Sequence, residues 1–308
     1  MAVPDFQTFL LPVLRVAADG AVHSLTATRE RIAADFALTA EDRAERLPSG
    51  RQARFDNRVA WAKSYLQQAG LITSPQRGRF AITPRGLELL ATNPERLSIE
   101  ILEKYPEFRA FRDGSDDAPR QGAAADESTK APEPSTETPE EVLELAYARI
   151  RADLAADLLA RVKQAPPAFF ENLVVDLLLK MGYGRNRAEA GRAIGASGDE
   201  GIDGTISEDR LGLDVIYVQA KRWENTVGRP DIQKFVGALS GKRARKGVFI
   251  TTSTFSAEAA DYVTRIDPRV VLIDGKQLAE YMIDHNLGVS TRAVFEVKRV
   301  DTDFFSEE

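Results

Sequence analysis

GDEGIDGTISEDRLGLDVIYVQAKRW, residues 198–223, decides the reading of this chain. It reads as one β-hairpin, with Asp203 at the start of the first arm and Gln219 and Lys221 at the end of the second. Gln219 and Lys221 are two apart on a strand, so they point to the same face of the sheet. The glycines around Asp203 allow close approach of backbone or ligand. An acid, an amide and a lysine converging on one sheet face suit the hydrolysis of a phosphodiester. That chemistry needs charge on the phosphate neutralised, a water activated and the leaving oxygen stabilised.

Mg²⁺ takes oxygen ligands and keeps several waters, so one carboxylate and one carbonyl oxygen can hold it. Asp203 would give the first. The Gln219 side chain, or the backbone carbonyl of Ala220, would give the second. Lys221 would orient or deprotonate the attacking water and offset charge in the transition state. Glu171, near the start of an apolar helix, is a further carboxylate favoured by the helix dipole. Asp199 and Glu200 read as solvated loop acids, with help to a second metal as their other role. Taken alone, the Asp-to-Lys spacing reads sooner as a plain structural hairpin. The glycines, the polar end of the strand and the basic residues after it favour the functional reading.

Outward from the hairpin, the pattern alternates. A helix at 140–164 is broken by Pro166 and Pro167, and an apolar helix follows at 168–181. After the hairpin come a helix at 230–239, a strand at 247–252, a helix at 256–264, a strand at 270–273 and a helix at 275–285. Alternating strands and helices predict an α/β domain with a mixed central sheet.

Before it, residues 112–139 are rich in Pro, Ala, Ser, Thr and acid, and read as a flexible linker that cannot bury enough surface to repay its ordering entropy. The chain thus divides into 1–111, an acidic linker 112–139 and a second domain 140–300. In the first domain, helices are expected at 6–18, 27–36 and 54–68. In the last of these, Phe55, Val59, Ala62 and Leu66 recur at helical spacing on one face. Two short strands around a turn at 75–78 follow, and Thr83–Pro84 is a helix start. Three helices and a small hairpin describe a winged helix-turn-helix. In that fold the third helix enters the major groove. Its exposed face is expected to carry Arg51, Arg54, Asn57, Arg58 and Lys63, with Arg77 and Arg79 on the wing. Arg and Asn suit bidentate contact with base edges. A protein-binding winged helix is the bland alternative.

The chain has 308 residues and a net charge of −6. The acid is concentrated: residues 113–141 hold nine acids against two bases, and 301–308 hold four acids and no base. Residues 43–88 carry nine Arg/Lys against three acids, and 218–247 carry eight against two. Such patches steer proteins onto phosphate backbones, and Arg222 lies in the second of them. There is no cysteine, and His23 and His285 are the two histidines. Disulfides, thiolate metal sites and His-rich centres are therefore excluded. No apolar run reaches the roughly 20 residues a membrane span needs, and no export signal is visible, so a cytoplasmic protein is expected.

With these residues in hand, the chain resembles the Mrr family of restriction endonucleases, within the PD-(D/E)xK nuclease superfamily. The resemblance rests on SGRQARFDNRVAWAKSYLQQAGLI and ITPRG in the first domain. In the second it rests on FFENLVVDLLLKMGYG, GDEGIDG, LGLDVIYVQAKRW, RPDIQKFVGALSG and KGVFITTSTFS. It implies a restriction-endonuclease-like α/β domain and a type IV-like, Mg²⁺- or Mn²⁺-dependent DNA endonuclease. The partner implied is double-stranded DNA, methylated and foreign. Asp203, Gln219 and Lys221 match the family's D…QxK pattern, and Glu171 its helical acid. Gln in place of the superfamily's usual acid removes one negative charge. Cutting two strands needs two sites or two visits, so a homodimer or homotetramer is expected, with the apolar parts of 140–164 as an interface. The competing readings are a non-cleaving DNA-binding regulator, and a repair or junction nuclease of the same superfamily.

Overall fold

The computed structural model describes residues 2–76, 78–116, 136–184, 202–209 and 214–298. They form two compact units, dividing between Ala148 and Arg149.

The first unit is mainly helical. A 3₁₀ turn, Phe6–Phe9, runs into α1, Leu10–Val16. Then come β1 (His23–Ser24), α2 (Leu25–Asp35), a short α3 (Ala40–Ala44) and α4 (Arg54–Gln68). β2 (Ile72–Thr73) and β3 (Arg79–Ile82) follow. They join β1 in an antiparallel sheet of order β1-β3-β2. Thr83 caps α5 (Pro84–Ala91) by accepting the Gly86 N–H. Two further helices, α6 (Ile99–Leu102) and α7 (Pro106–Asp116), complete this part. α7 passes the expected start of the linker at 112, and residues 117–135 lie outside the described ones.

The core of this unit is aromatic. Phe6, Phe9, Phe55, Phe80 and Phe108 are buried together with Leu10, Leu14 and Ile32. The four residues predicted to form one face of α4, Phe55, Val59, Ala62 and Leu66, are all in this core. Each large side chain removed from water there contributes about 1.5–3 kcal/mol. Gly70 ends the helix in the left-handed region, at φ 69°, where a side chain would be strained.

The second unit holds a four-stranded mixed sheet of order β4-β5-β6-β7. α8 (Pro139–Gln164) leads into it from the first unit, and α9 (Pro167–Lys180) follows. β4 (Gly204–Ser207) and β5 (Val215–Lys221) are the antiparallel arms of the predicted hairpin. α10 (Arg229–Gly241) connects to β6 (Lys246–Thr251), and α11 (Ala257–Val263) to β7 (Arg269–Ile273). Both connections join parallel neighbours. α12 (Gly275–Asp284) follows. The residues thus form a mixed α/β domain after a helical one. No helix among the described residues is long and apolar enough to cross a membrane.

Helices cover both faces of the sheet, and strand alternation sorts its side chains between them. Ile216 and Val218 of β5, and Val248 and Ile250 of β6, pack with α8, α9 and α12. Phe249 of β6 packs with Ile232, Phe235 and Leu239 of α10 on the other face, and Tyr217 of β5 lies against the same cluster. Gln219 and Lys221 share the parity of Tyr217, so they belong to that second face.

Candidate active site

Asp203 stands immediately before β4 and is tied to β5 twice. Its N–H donates to the Val218 carbonyl at 3.0 Å, and its Oδ2 accepts the Ala220 N–H at 2.7 Å. The hairpin register brings Gly204 opposite Val218, so one step further Asp203 meets Gln219. The carboxylate is held by backbone on one oxygen, while Oδ1 lies 3.6 Å from the Lys221 ammonium. Neither side chain is sealed off: Asp203 is 21% and Lys221 28% exposed.

Gln219 is 5% exposed, and its Oε1 is buried with no hydrogen-bond partner among the described residues. Leaving a buried acceptor unpaired costs about 1–3 kcal/mol. An oxygen in that state beside a carboxylate fits a hard cation, which prefers oxygen ligands. Among the described residues there is no cluster of three or more His, Asp or Glu, so a cation here would draw on mixed donors and water.

Glu171 lies on α9, which packs through Phe170, Leu173 and Val174 on the face opposite to Gln219. It is half-buried, and it makes no hydrogen bond or ion pair to Asp203, Gln219 or Lys221 among the described residues. Asp199 and Glu200 lie outside the described residues, as does Arg77. Arg222 is exposed and donates to the Lys163 carbonyl at 2.6 Å. With Trp223, Glu224, Asn225, Thr226 and Asp231 it lines a shallow groove of about 460 Å³ next to the end of β5.

The basic face expected on α4 is different. Asn57 is 1% exposed, not presented to solvent. Its side chain pairs with Thr138, Gln52 and Glu140. Arg58 grips Glu141 through Nε at 3.0 and 3.2 Å and through Nη2 at 2.9 Å. Its Nη1 donates to the Val3 and Pro4 carbonyls at 2.7 and 2.8 Å. Arg54 divides itself between Glu45, at 2.6 Å, and Glu141, at 3.4 Å. The Glu141 side chain is only 3% exposed. The expectation that Arg54, Asn57 and Arg58 form an open face is therefore corrected: the first turn of α8 covers them.

Periodicity located the right side of α4 but could not name what arrives there from 83 residues away. One signal was available. TPEE, residues 138–141, is a capping box, in which Thr138 Oγ1 accepts the Glu141 N–H and Glu141 accepts the Thr138 N–H. It marks a fixed helix start inside the stretch read as linker.

Lys63 is half-buried against Gln67 and Ser74, and burial lowers its pKa from the ordinary lysine value. Arg51 and Arg79 are exposed.

Comparisons with known proteins find similar sequences in two parts of the chain. Residues 162–282 match a family model described as a restriction endonuclease, and residues 6–92 match one described as an Mrr N-terminal domain. The type IV methyl-directed restriction enzyme EcoKMrr of Escherichia coli (strain K12) is 38% identical over 311 residues, spanning 99% of this chain and 100% of that one. Two solved structures are more distant. The DNA modification-dependent restriction endonuclease AspBHI is 19% identical with a TM-score of 0.34, covering 71% of this chain and 56% of its own. MspJI restriction endonuclease, in complex with a 27-mer oligonucleotide, is 18% identical with a TM-score of 0.28, covering 68% and 49%.

Proposed function

This chain belongs to the Mrr family of restriction endonucleases, and from that premise we propose that it hydrolyses phosphodiester bonds in methylated foreign double-stranded DNA. The observation that carries the reading is the meeting of Asp203 and Lys221 opposite Gln219, whose oxygen has no hydrogen-bond partner among the described residues. A divalent cation, Mg²⁺ or Mn²⁺, held by Asp203 and Gln219 with water at its other positions, would neutralise phosphate charge and sharpen a bound water as nucleophile, while Glu171, on the helix against the opposite face of the sheet, is set aside as a ligand.

The chain's own residues then have separate tasks. The Ala220 N–H fixes the Asp203 carboxylate, so its second oxygen keeps one direction. Lys221 sets a positive charge beside it, where charge on the phosphate oxygens grows during attack. Arg222 stands next along the chain at the rim of the groove, suited to a neighbouring phosphate.

The first domain is read as a winged helix, supported by its helices and the β1-β3-β2 sheet. DNA contact there falls to Arg51, Lys63 and Arg79 rather than to Asn57 and Arg58. The protein acts as a homodimer or homotetramer in the cytoplasm. Leu143, Tyr147, Ile150 and Leu154 of α8 are exposed and recur at i, i+4, i+7 and i+11, one stripe suited to a second copy. A monomeric mass at every concentration, with and without DNA, would remove the oligomer.

The deciding experiment is cleavage of plasmid DNA with Mg²⁺, methylated against unmethylated, with Asp203→Ala as control. Cutting that follows methylation is expected. Equal cutting of both would remove the restriction role, and no cutting of either would remove the nuclease.

A further inference from the structure

β6 ends at Thr251, and three more hydroxyl residues, Thr252, Ser253 and Thr254, follow it directly. In a regular strand their side chains would alternate between faces. Here all four reach the segment that leaves β5. Thr251 Oγ1 donates to the Lys221 carbonyl at 2.9 Å. Thr252 Oγ1 donates to the Trp223 carbonyl at 2.8 Å, and Ser253 Oγ to the Glu224 carbonyl at 2.9 Å. Thr254 pairs with the Thr226 hydroxyl at 3.0 Å. The backbone N–H of Thr252 adds a second donor to the Lys221 carbonyl, at 3.2 Å. Thr251, Thr252 and Ser253 are all buried.

The ladder is braced from behind. Gly275, at the start of α12, donates its N–H to the Ser253 carbonyl at 2.8 Å. A Cβ at Gly275 would stand 2.4 Å from the Thr252 carbonyl oxygen, so the helix backbone lies directly against this turn. The carbonyls of 221, 223 and 224 lie just where the chain leaves the sheet and loses strand partners. Side-chain donors supply what the ladder of the sheet no longer does.

We propose that Thr252, with Thr251 and Ser253, is a positioning residue for DNA cleavage. These hydroxyls fix the exit of the chain from β5. They thereby set the Lys221 main chain, from which the ammonium reaches Asp203, and the course of Arg222 and Trp223 along the groove. The inference rests on the nuclease reading. None of these hydroxyls touches the reacting atoms; they act through Lys221 and the segment after it.

Thr252→Val keeps the branched shape and removes the donor, and Thr252→Ser restores the donor. The readouts are the single-turnover cleavage rate of the full-length protein with Mg²⁺, its affinity for the same duplex without metal, and its thermal melt. Thr252→Val is expected to slow cleavage by about 10- to 100-fold, the scale of a small misplacement of a catalytic group, while affinity stays within about threefold. It should remain folded at the assay temperature, and Thr252→Ser should recover the rate to within about threefold. A Thr252→Val protein that cuts at the wild-type rate overturns the inference alone. So does a rate that falls in step with affinity and melting, with Ser no better than Val. A wild-type protein that cuts no duplex, methylated or not, removes the nuclease reading and this inference with it.

Discussion

The face of α4 and the end of β5 carry similar chemistry and use it in opposite ways. Both gather charge on one side of a regular element. At the end of β5 the groups are left underused: among the described residues Lys221 has one carboxylate within reach, at 3.6 Å, and the Gln219 oxygen has no donor. On α4 the groups are used up. Arg58 makes a bidentate grip on Glu141 and two further bonds to main-chain carbonyls, and Asn57 is sealed beneath Thr138 and Glu140. Arginine density in a sequence marks where strong hydrogen-bond donors lie. Whether they wait for a ligand depends on whether the fold has already supplied one.

The largest expected effect tests the underused side. Lys221→Ala and Asp203→Ala should each lower cleavage by at least about 10²–10³-fold, the scale of removing one preorganised electrostatic group. DNA binding measured by gel shift should survive in Lys221→Ala. Cleavage that persists in either variant would place the chemistry elsewhere and make the two regions alike.

Next comes the occupied side. Glu141→Ala leaves Arg58 and Arg54 without their shared carboxylate, and removing one partner of a buried ion pair costs about 3–5 kcal/mol. The lower end is expected, because Arg54 is 29% exposed and can rehydrate. Urea unfolding followed by Trp61 fluorescence, with Trp223→Phe as background, reads the first unit by itself. An unchanged midpoint would mean the grip on Glu141 is loose and the α4 face is free for DNA after all.

This contrast also explains what the sequence let be read. The hairpin with its mixed sheet, and the core face of α4, follow from period-two and period-3.6 patterns, which are local. The closeness of Asp203 to Lys221 followed from one hairpin and strand parity. The covering of Arg58 by Glu141 did not, because it joins segments 83 residues apart, and composition argued for a linker between them. The hydroxyl ladder escaped for another reason. Thr252, Ser253 and Thr254 lie past the end of β6, so strand alternation does not say where their side chains go. β1 and α3, with two and five residues, are too short to show a period at all.

The smallest effect separates two arginines of the first unit that look alike in sequence. Arg79 is exposed on β3, and Arg58 is bonded inward. Arg79→Ala should leave the unfolding midpoint where it was, since an exposed side chain without buried partners contributes little. It should weaken DNA binding a few-fold and lower the slope of log affinity against log salt by about one, as the loss of one phosphate contact does. Arg58→Ala should do the reverse, lowering the midpoint while leaving the salt slope of whatever remains folded unchanged. If Arg58→Ala instead lowers the salt slope at constant stability, then DNA phosphate displaces Glu141 from α4. The covered face would then be a ligand site held shut by the chain's own acid, and the two regions would differ only in when their charges are released.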